Sequence, residues 1–266
     1  MHDFLDVLAR DAKARVAKGY YEHPNECSPV SASLRDSILQ SHHVPIIAEI
    51  KGASPSAGVI RQGYCAGRIA SDMAQGGAVG ISVLAEPKNF NGSLSNLAEV
   101  RRAVKLPVLM KDIIISPSQL DAAARIGANA VLLIQSIFDR GYGELSVEEM
   151  IETAHSNGLE ALLEVHDDDE FQRASESKAD IVGINNRSLG TLEVDLNVTK
   201  RILENTQVSS KIVVAESGIH AGSDIRFLKR CGAKAFLIGS AIMTADDAES
   251  KTREFTMALS KEELSA

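Results

Sequence analysis

Lysine, glutamate and asparagine side chains stand at the ends of apolar runs in this chain, where a buried strand ordinarily carries Val, Ile and Leu. PIIAEIK carries Glu49 and Lys51, PVLMKDI carries Lys111 and Asp112, and EALLEVH carries Glu164 and His166. IVGINNR adds Asn185, Asn186 and Arg187, and KIVVAES adds Glu216 and Ser217. Ammonium and carboxylate groups together are equipment for proton transfer, one giving a proton where another takes it. Residues two apart on a strand point the same way, so Glu49 and Lys51 share a face, as do Asn185 and Arg187. Glu49 can therefore orient Lys51. One such charge ordinarily just reaches solvent at the rim. A set of them costs desolvation energy unless its members pair, and buried ionisable clusters concentrate at functional sites, so we expect one catalytic cluster.

A second set is small and polar. Ser217-Gly218 and Gly239-Ser240 each follow an apolar run and precede a helical segment. Glycine lets backbone amides approach an anion closely, and a helix start adds partial positive charge. One such pair would be an ordinary tight turn; two suggest an anion site. The stretch ASPSAGVIR, with Ser54, Pro55, Ser56 and Gly58, is too long for a minimal connection and reads as a binding loop. His166 opens the acidic run HDDDE and reads as the start of a solvated helix, without chemistry. The carboxylates of Asp167 to Glu170 read as matched to that helix's dipole rather than to a metal.

The elements that must position these residues alternate. Eight apolar runs, the five above with VGISVLAE, AVLLIQ and AFLIGSA, are candidate strands. Between them lie helical patterns at 95–104, 118–127, 146–158 and 224–232, several ending in Gly as C-caps do. Near-continuous apolar strands alternating with helices mean a parallel sheet buried on both faces, and eight units can close into a single (β/α)8 TIM barrel over residues 45–266. An open doubly wound sheet is the rival, but no GxGxxG follows the first strand. Residues 1–44 form an N-terminal helical extension packing on the barrel, with an amphipathic helix at about 3–18 and a second at about 31–41. Barrels act at the C-terminal strand ends and frequently bind phosphate after strands seven and eight, which implies a phosphorylated substrate.

At 266 residues and 44% hydrophobic the chain suffices for one large domain. A formal charge of -8 without basic runs argues against nucleic-acid or membrane-surface partners. Cys27, Cys65 and Cys231 lack paired spacing, so neither a disulfide framework nor a zinc site is expected. The charged N-terminus lacks a signal peptide's apolar core and no apolar run approaches the roughly 20 residues of a membrane helix, so a cytoplasmic protein is expected.

EIKGASPS, SVLAEPKNFNGS, LMKDI, LLEVHD, GINNRSL and AESGI resemble, in order, segments of indole-3-glycerol phosphate synthases. The resemblance runs from about residue 45 to 247, and ExKxxSPS with INNR is specific in combination. It implies conversion of 1-(2-carboxyphenylamino)-1-deoxyribulose 5-phosphate to indole-3-glycerol phosphate in tryptophan biosynthesis, with loss of carbon dioxide and water and with neither metal nor organic cofactor. By match to the family's motifs, Lys111 is the general acid on the ribulose carbonyl. Lys51, held by Glu49, binds an anionic group of the substrate and supplies a proton in dehydration, and Glu164 takes one up. Asn185 orients Glu164 or a hydroxyl, and Glu216 with Ser217 holds ribulose hydroxyls. Ser54, Arg187, Gly218, Gly239 and Ser240 match anion-binding positions, and Phe90 packs on the anthranilate ring.

Two positions depart from the family pattern: Ile113 stands where Phe is usual, and Ala85 where many relatives have Thr. Phosphoribosylanthranilate isomerase is the nearest enzymatic rival, but it calls for Cys on the first strand and Asp on the fifth. A catalytically silent phosphate-binding barrel serving as a regulatory subunit is the non-enzymatic rival. Retention of Lys51, Lys111 and Glu164 together argues against it. A monomer or weak homo-oligomer is expected, and a separate tryptophan-pathway subunit stays open as a partner.

Overall fold

The computed structural model describes residues 4–56, 58–206 and 211–265. Position 3, where the first helix is expected to start, and Ala57 of the long loop lie outside them. Eight parallel strands close into a barrel in sequence order: β1 (Ile46–Ile50), β2 (Gly80–Leu84), β3 (Val108–Lys111), β4 (Ala130–Ile134), β5 (Glu160–Val165), β6 (Ile181–Asn185), β7 (Ile212–Glu216) and β8 (Ala235–Ile238). β8 pairs back onto β1, with Ile46 opposite Phe236 and Ala48 opposite Ile238. This is the architecture the alternating pattern called for, and each of the eight apolar runs is a strand.

Every second strand residue points into the barrel. Ile47, Leu109, Leu132, Leu162, Ile181, Val214 and Leu237 form that inner core, while alternate residues such as Ile46, Val131 and Val182 pack outward against helices. The helices begin where the chain supplies caps. Ser116 and Ser146 make capping boxes for Pro117–Ile126 and Val147–Ser156, and Asp167 accepts a hydrogen bond from the Glu170 amide to open Asp168–Glu176. Gly127 and Gly232 end two helices in the left-handed conformation, at φ 86° and 114°, as their sequence positions suggest.

The extension's two helices cover opposite ends of the barrel. In α1 (Phe4–Ala17), Leu5, Leu8, Ala9 and Ala12 form one buried stripe that lies over the C-terminal mouth. One turn later Arg15 reaches Glu86 at 2.8 Å and Asp112 at 3.1 Å, and the Tyr21 hydroxyl donates to Asp112 at 2.8 Å. The chain then passes the outer helices, with Asn129 Nδ2 donating to the Val30 carbonyl at 2.7 Å. α2 (Leu34–Leu39) tucks under the N-terminal end. It is shorter than the expected 31–41 because Ser33 caps it, accepting from the Asp36 amide. Its Leu34 comes so close to Gly80 that a Cβ there would meet Leu34 Cδ1 at 2.6 Å. Glu160, at the start of β5, accepts from Ser33 Oγ and from the Leu34 amide at 2.7 Å. No helix among the described residues is long and apolar enough to cross a membrane.

Candidate active site

The inward register that fills the barrel with Leu and Ile turns ionic at the last inward position of four strands. Glu49, Lys111, Glu164 and Glu216 occupy the inner positions next above Ile47, Leu109, Leu162 and Val214. They line one cleft with about 1040 Å³ of empty space, counted with its open side. The Lys111 ammonium sits at their centre. It donates to Glu216 at 2.5 Å and to Glu164 at 3.2 Å, with Glu49 4.0 Å away. Burial works against its charge, but the three carboxylates outweigh that and hold its proton firmly. Lys51 Nζ lies 2.6 Å from Glu49 Oε1, the pairing expected from their shared face.

The carboxylates are not equivalent. Glu216 is held above the ordinary carboxylate range, chiefly by burial, with Glu164 and Glu49 adding to it against the pull of Lys111. Glu164 is held below that range, because Lys111, His166 and a hydrogen bond from Asn185 outweigh its burial. Titratable neighbours pushed apart in this way can divide acid and base roles.

Two glycines make room for this cluster. A Cβ at Gly239 would come 2.3 Å from Glu49 Oε1, and one at Gly183 would come 2.3 Å from Glu216 Oε1. Gly239 was singled out as an anion-site glycine; its closest constraint is the Glu49 carboxylate. Gly183 escaped the reading because a glycine inside an apolar run carries no chemistry of its own.

On the rim, Ser217 and Gly218 are both left-handed, at φ 65° and 80°. With Ser54, Arg187, Gly239 and Ser240 they line the same cleft. Arg187 Nη1 donates to Ser56 Oγ and to the Leu192 carbonyl, each at 2.9 Å, which ties the long loop after β1 to the loop after β6. That long loop folds on itself as Ala53–Ser54 pairing with Gly58–Val59. Asn185 and Arg187 both face the cleft. Asn186 turns away: its side chain donates to the Glu216 carbonyl and accepts from Thr199 Oγ1, fixing β6 against β7.

The opposite wall is apolar. Phe90, Ile113, Leu132, Ile134 and Leu189 are joined there by Phe4 and Leu8 of α1. Glu86 shapes this wall from behind, accepting from the amides of Asn89 at 2.6 Å and Phe90 at 3.1 Å. Ile113 lines the cleft, whereas Ala85 is buried among outward-facing core residues. Phe4 and Leu8 were missed: the stripe on α1 was legible, but nothing in it says which end of a barrel it covers.

His166 requires a correction. It precedes the helix, which starts at Asp168, and its side chain is only 15% exposed. It lies between Glu164 and Glu170, 3.4 Å from each. Burial lowers its proton affinity, but the two carboxylates outweigh this and raise its pKa to about 9. Within the acidic run, Asp167 does cap the helix, while Glu170 is turned inward to accept from Ser136 and from the His166 amide at 2.8 Å.

Fold and site define a parallel (β/α)8-barrel enzyme equipped for proton transfer at its C-terminal mouth. Two solved structures share that fold: a thiamine phosphate pyrophosphorylase from Pyrococcus furiosus and an N-acetylmannosamine-6-phosphate 2-epimerase from Clostridium perfringens. The first has a TM-score of 0.61 at 18% identity and covers 88% of this chain and 100% of its own. The second has a TM-score of 0.59 at 16% identity and covers 82% and 93%. The chain belongs to the indole-3-glycerol phosphate synthase family, whose model matches residues 6–255. It is 43% identical over 215 residues to the enzyme of that name from Methanocaldococcus jannaschii, covering 80% of this chain and 78% of that one. It is 39% identical over 251 residues to the one from Koribacter versatilis, covering 94% of each. The Burkholderia lata relative is 37% identical over 255 residues, covering 92% of this chain and 96% of its own.

Proposed function

We propose that the mouth of this barrel closes the indole ring, converting 1-(2-carboxyphenylamino)-1-deoxyribulose 5-phosphate to indole-3-glycerol phosphate with release of carbon dioxide and water. The observation that carries the reading is the Lys111 ammonium held among Glu216, Glu164 and Glu49 at the floor of a cleft that is apolar on one side and polar on the other. The substrate has the same two sides, an aromatic ring and a sugar phosphate.

In this reading the carboxylates keep Lys111 protonated until ring closure puts charge on the ketone oxygen. An alkoxide is a stronger base than any of them, so the proton then moves downhill as the carboxyl-bearing ring carbon attacks. Loss of carbon dioxide returns an electron pair to the ring. The new hydroxyl departs as water on a proton from Lys51, which Glu49 holds in place, and Glu164 takes up the proton released as the indole becomes aromatic. Asn185 fixes Glu164, while Glu216 and Ser217 meet the ribulose hydroxyls. Ser54, Arg187, Gly218, Gly239 and Ser240 receive the phosphate on the rim, and Phe90 with Ile113 contacts the ring. Residues 1–44 act as the extension and 45–266 as the barrel, in a cytoplasmic monomer or weak homo-oligomer open to a separate tryptophan-pathway enzyme.

The test is appearance of indole fluorescence when the protein meets this substrate; the chain contains 0 Trp to mask the signal. A rise that Lys111→Ala removes supports the reading. No rise from folded wild-type protein turns it toward a silent phosphate-binding barrel.

A further inference from the structure

We propose that His166 is a positioning residue of this site: as an imidazolium clamped between Glu164 and Glu170, it keeps Glu164 ionised and aimed at the cleft. The proposal rests on the reading of Glu164 as proton acceptor and adds a residue that touches neither the cleft nor the substrate.

Three observations and one chemical rule carry it. His166 Nε2 lies 3.4 Å from Glu164 Oε1, on the side opposite the Lys111 contact, which uses Oε2 at 3.2 Å. His166 Nδ1 lies 3.4 Å from Glu170 Oε2. A neutral imidazole has one N–H and no charge, whereas the imidazolium is attracted to both carboxylates: Nδ1 is hydrogen-bonded to Glu170, and Nε2, which makes no hydrogen bond, meets Glu164 as an ion pair. Glu170 is itself anchored, accepting from Ser136 Oγ and from the His166 backbone amide, which fixes the clamp from outside.

The groups facing the pair come from every neighbouring element. Glu164 sees Lys111 from β3, Asn185 from β6 and Glu216 from β7; His166 sees Glu170 from the helix Asp168–Glu176, and Ser136 stands behind that carboxylate. Lys111 is shared among three carboxylates, so it cannot neutralise Glu164 alone. The imidazolium adds a second positive charge beside Glu164, and Glu170, facing its other nitrogen, holds the ring in place. With His166 neutral or absent, Glu164 gains a proton at higher pH and is lost as an acceptor from the acid side.

The experiment combines activity with a direct view of the ring. Nitrogen-15 histidine spectra of wild-type protein, with His166→Gln assigning the resonance, should show His166 doubly protonated at pH 8. In the fluorescence assay, His166→Gln should lower kcat by at least tenfold with KM changed less than about threefold, and the fall of wild-type kcat as pH rises through 9, where His166 loses its proton, should be absent from the variant. A structural role alone would lower folded fraction or kcat without removing that limb. A neutral His166 at pH 7, or a variant with wild-type kcat and pH profile, overturns the proposal. If His166→Gln does not fold, Glu170→Gln carries the test: His166 should lose its proton at lower pH than in wild type, and an unchanged titration overturns the clamp. Wild-type protein that makes no indole product would instead sink the catalytic reading, and the spectra would still report the clamp.

Discussion

The two ends of the barrel interior are built from the same strands and obey opposite rules. At the lower level, Ile47, Leu109, Leu162 and Val214 are at most marginally accessible and wholly apolar. One inward position higher on each strand stand Glu49, Lys111, Glu164 and Glu216. The lower layer gains from burial and close packing, while the upper one must offset the desolvation of its charges by pairing. Stability and chemistry are thus separated by a single strand repeat of about 7 Å. The extension respects the division: α2 tucks under the end where packing dominates, and α1 lies over the end where the reaction is placed, adding Phe4 and Leu8 to the cleft.

Substitutions at the two levels should have opposite effects. Lys111→Ala should lower kcat by about 10³-fold, the scale of a lost general acid, with folding retained in circular dichroism. Folding survives because Glu216, already held toward its protonated form, takes up a proton when the ammonium is removed. Near-normal turnover would refute the role. Leu162→Ala, one level down, should cost about 2–5 kcal/mol in denaturant unfolding while KM and kcat of the remaining folded enzyme stay near wild type. A large kcat defect there would erase the division.

The charged level should also show in stability against pH. The folded-state pKa of His166 is raised to about 9 from an ordinary 6.5. Its contribution is therefore fully present below pH 6.5 and lost as pH rises through 9, on the order of 3 kcal/mol at most. Denaturant melts across that window should show the decline in wild type and not in His166→Gln; equal declines would remove the clamp from the account. Smaller effects belong to the parts that frame the site. Phe4→Ala should raise KM several-fold with kcat little changed, since the ring loses one wall, and an unchanged KM would take α1 out of substrate binding. Inorganic phosphate should compete with the substrate through the rim at Ser217-Gly218 and Gly239-Ser240, with chloride at equal ionic strength as control. Competition that chloride reproduces would dissolve the rim site.

Much of the fold was legible because its signals are local. Each strand is a short apolar run, each cap is a Ser, Asp or Gly at the right offset, and repeated alternation of the two selects a parallel barrel. Glu49 with Lys51 was readable as a pair, because a two-residue spacing on a strand fixes relative direction whatever the rest of the chain does. The other partnerships were not. Lys111 meets Glu216 across 105 residues and Glu164 across 53, and no spacing rule reaches that far. Gly183 matters because the Glu216 carboxylate and the Leu162 side chain, from the strands on either side, occupy the space of its missing side chain. His166 looked like a solvated residue in an acidic run, and closure of the barrel turned it inward between two carboxylates. The periodicity, the caps and the kinds of group delivered to the mouth are written in the order of the residues. Tertiary structure alone decided which proton each group holds, because proton affinity is set by burial and by the charges a few ångströms away, and those neighbours are brought together only when the strands close.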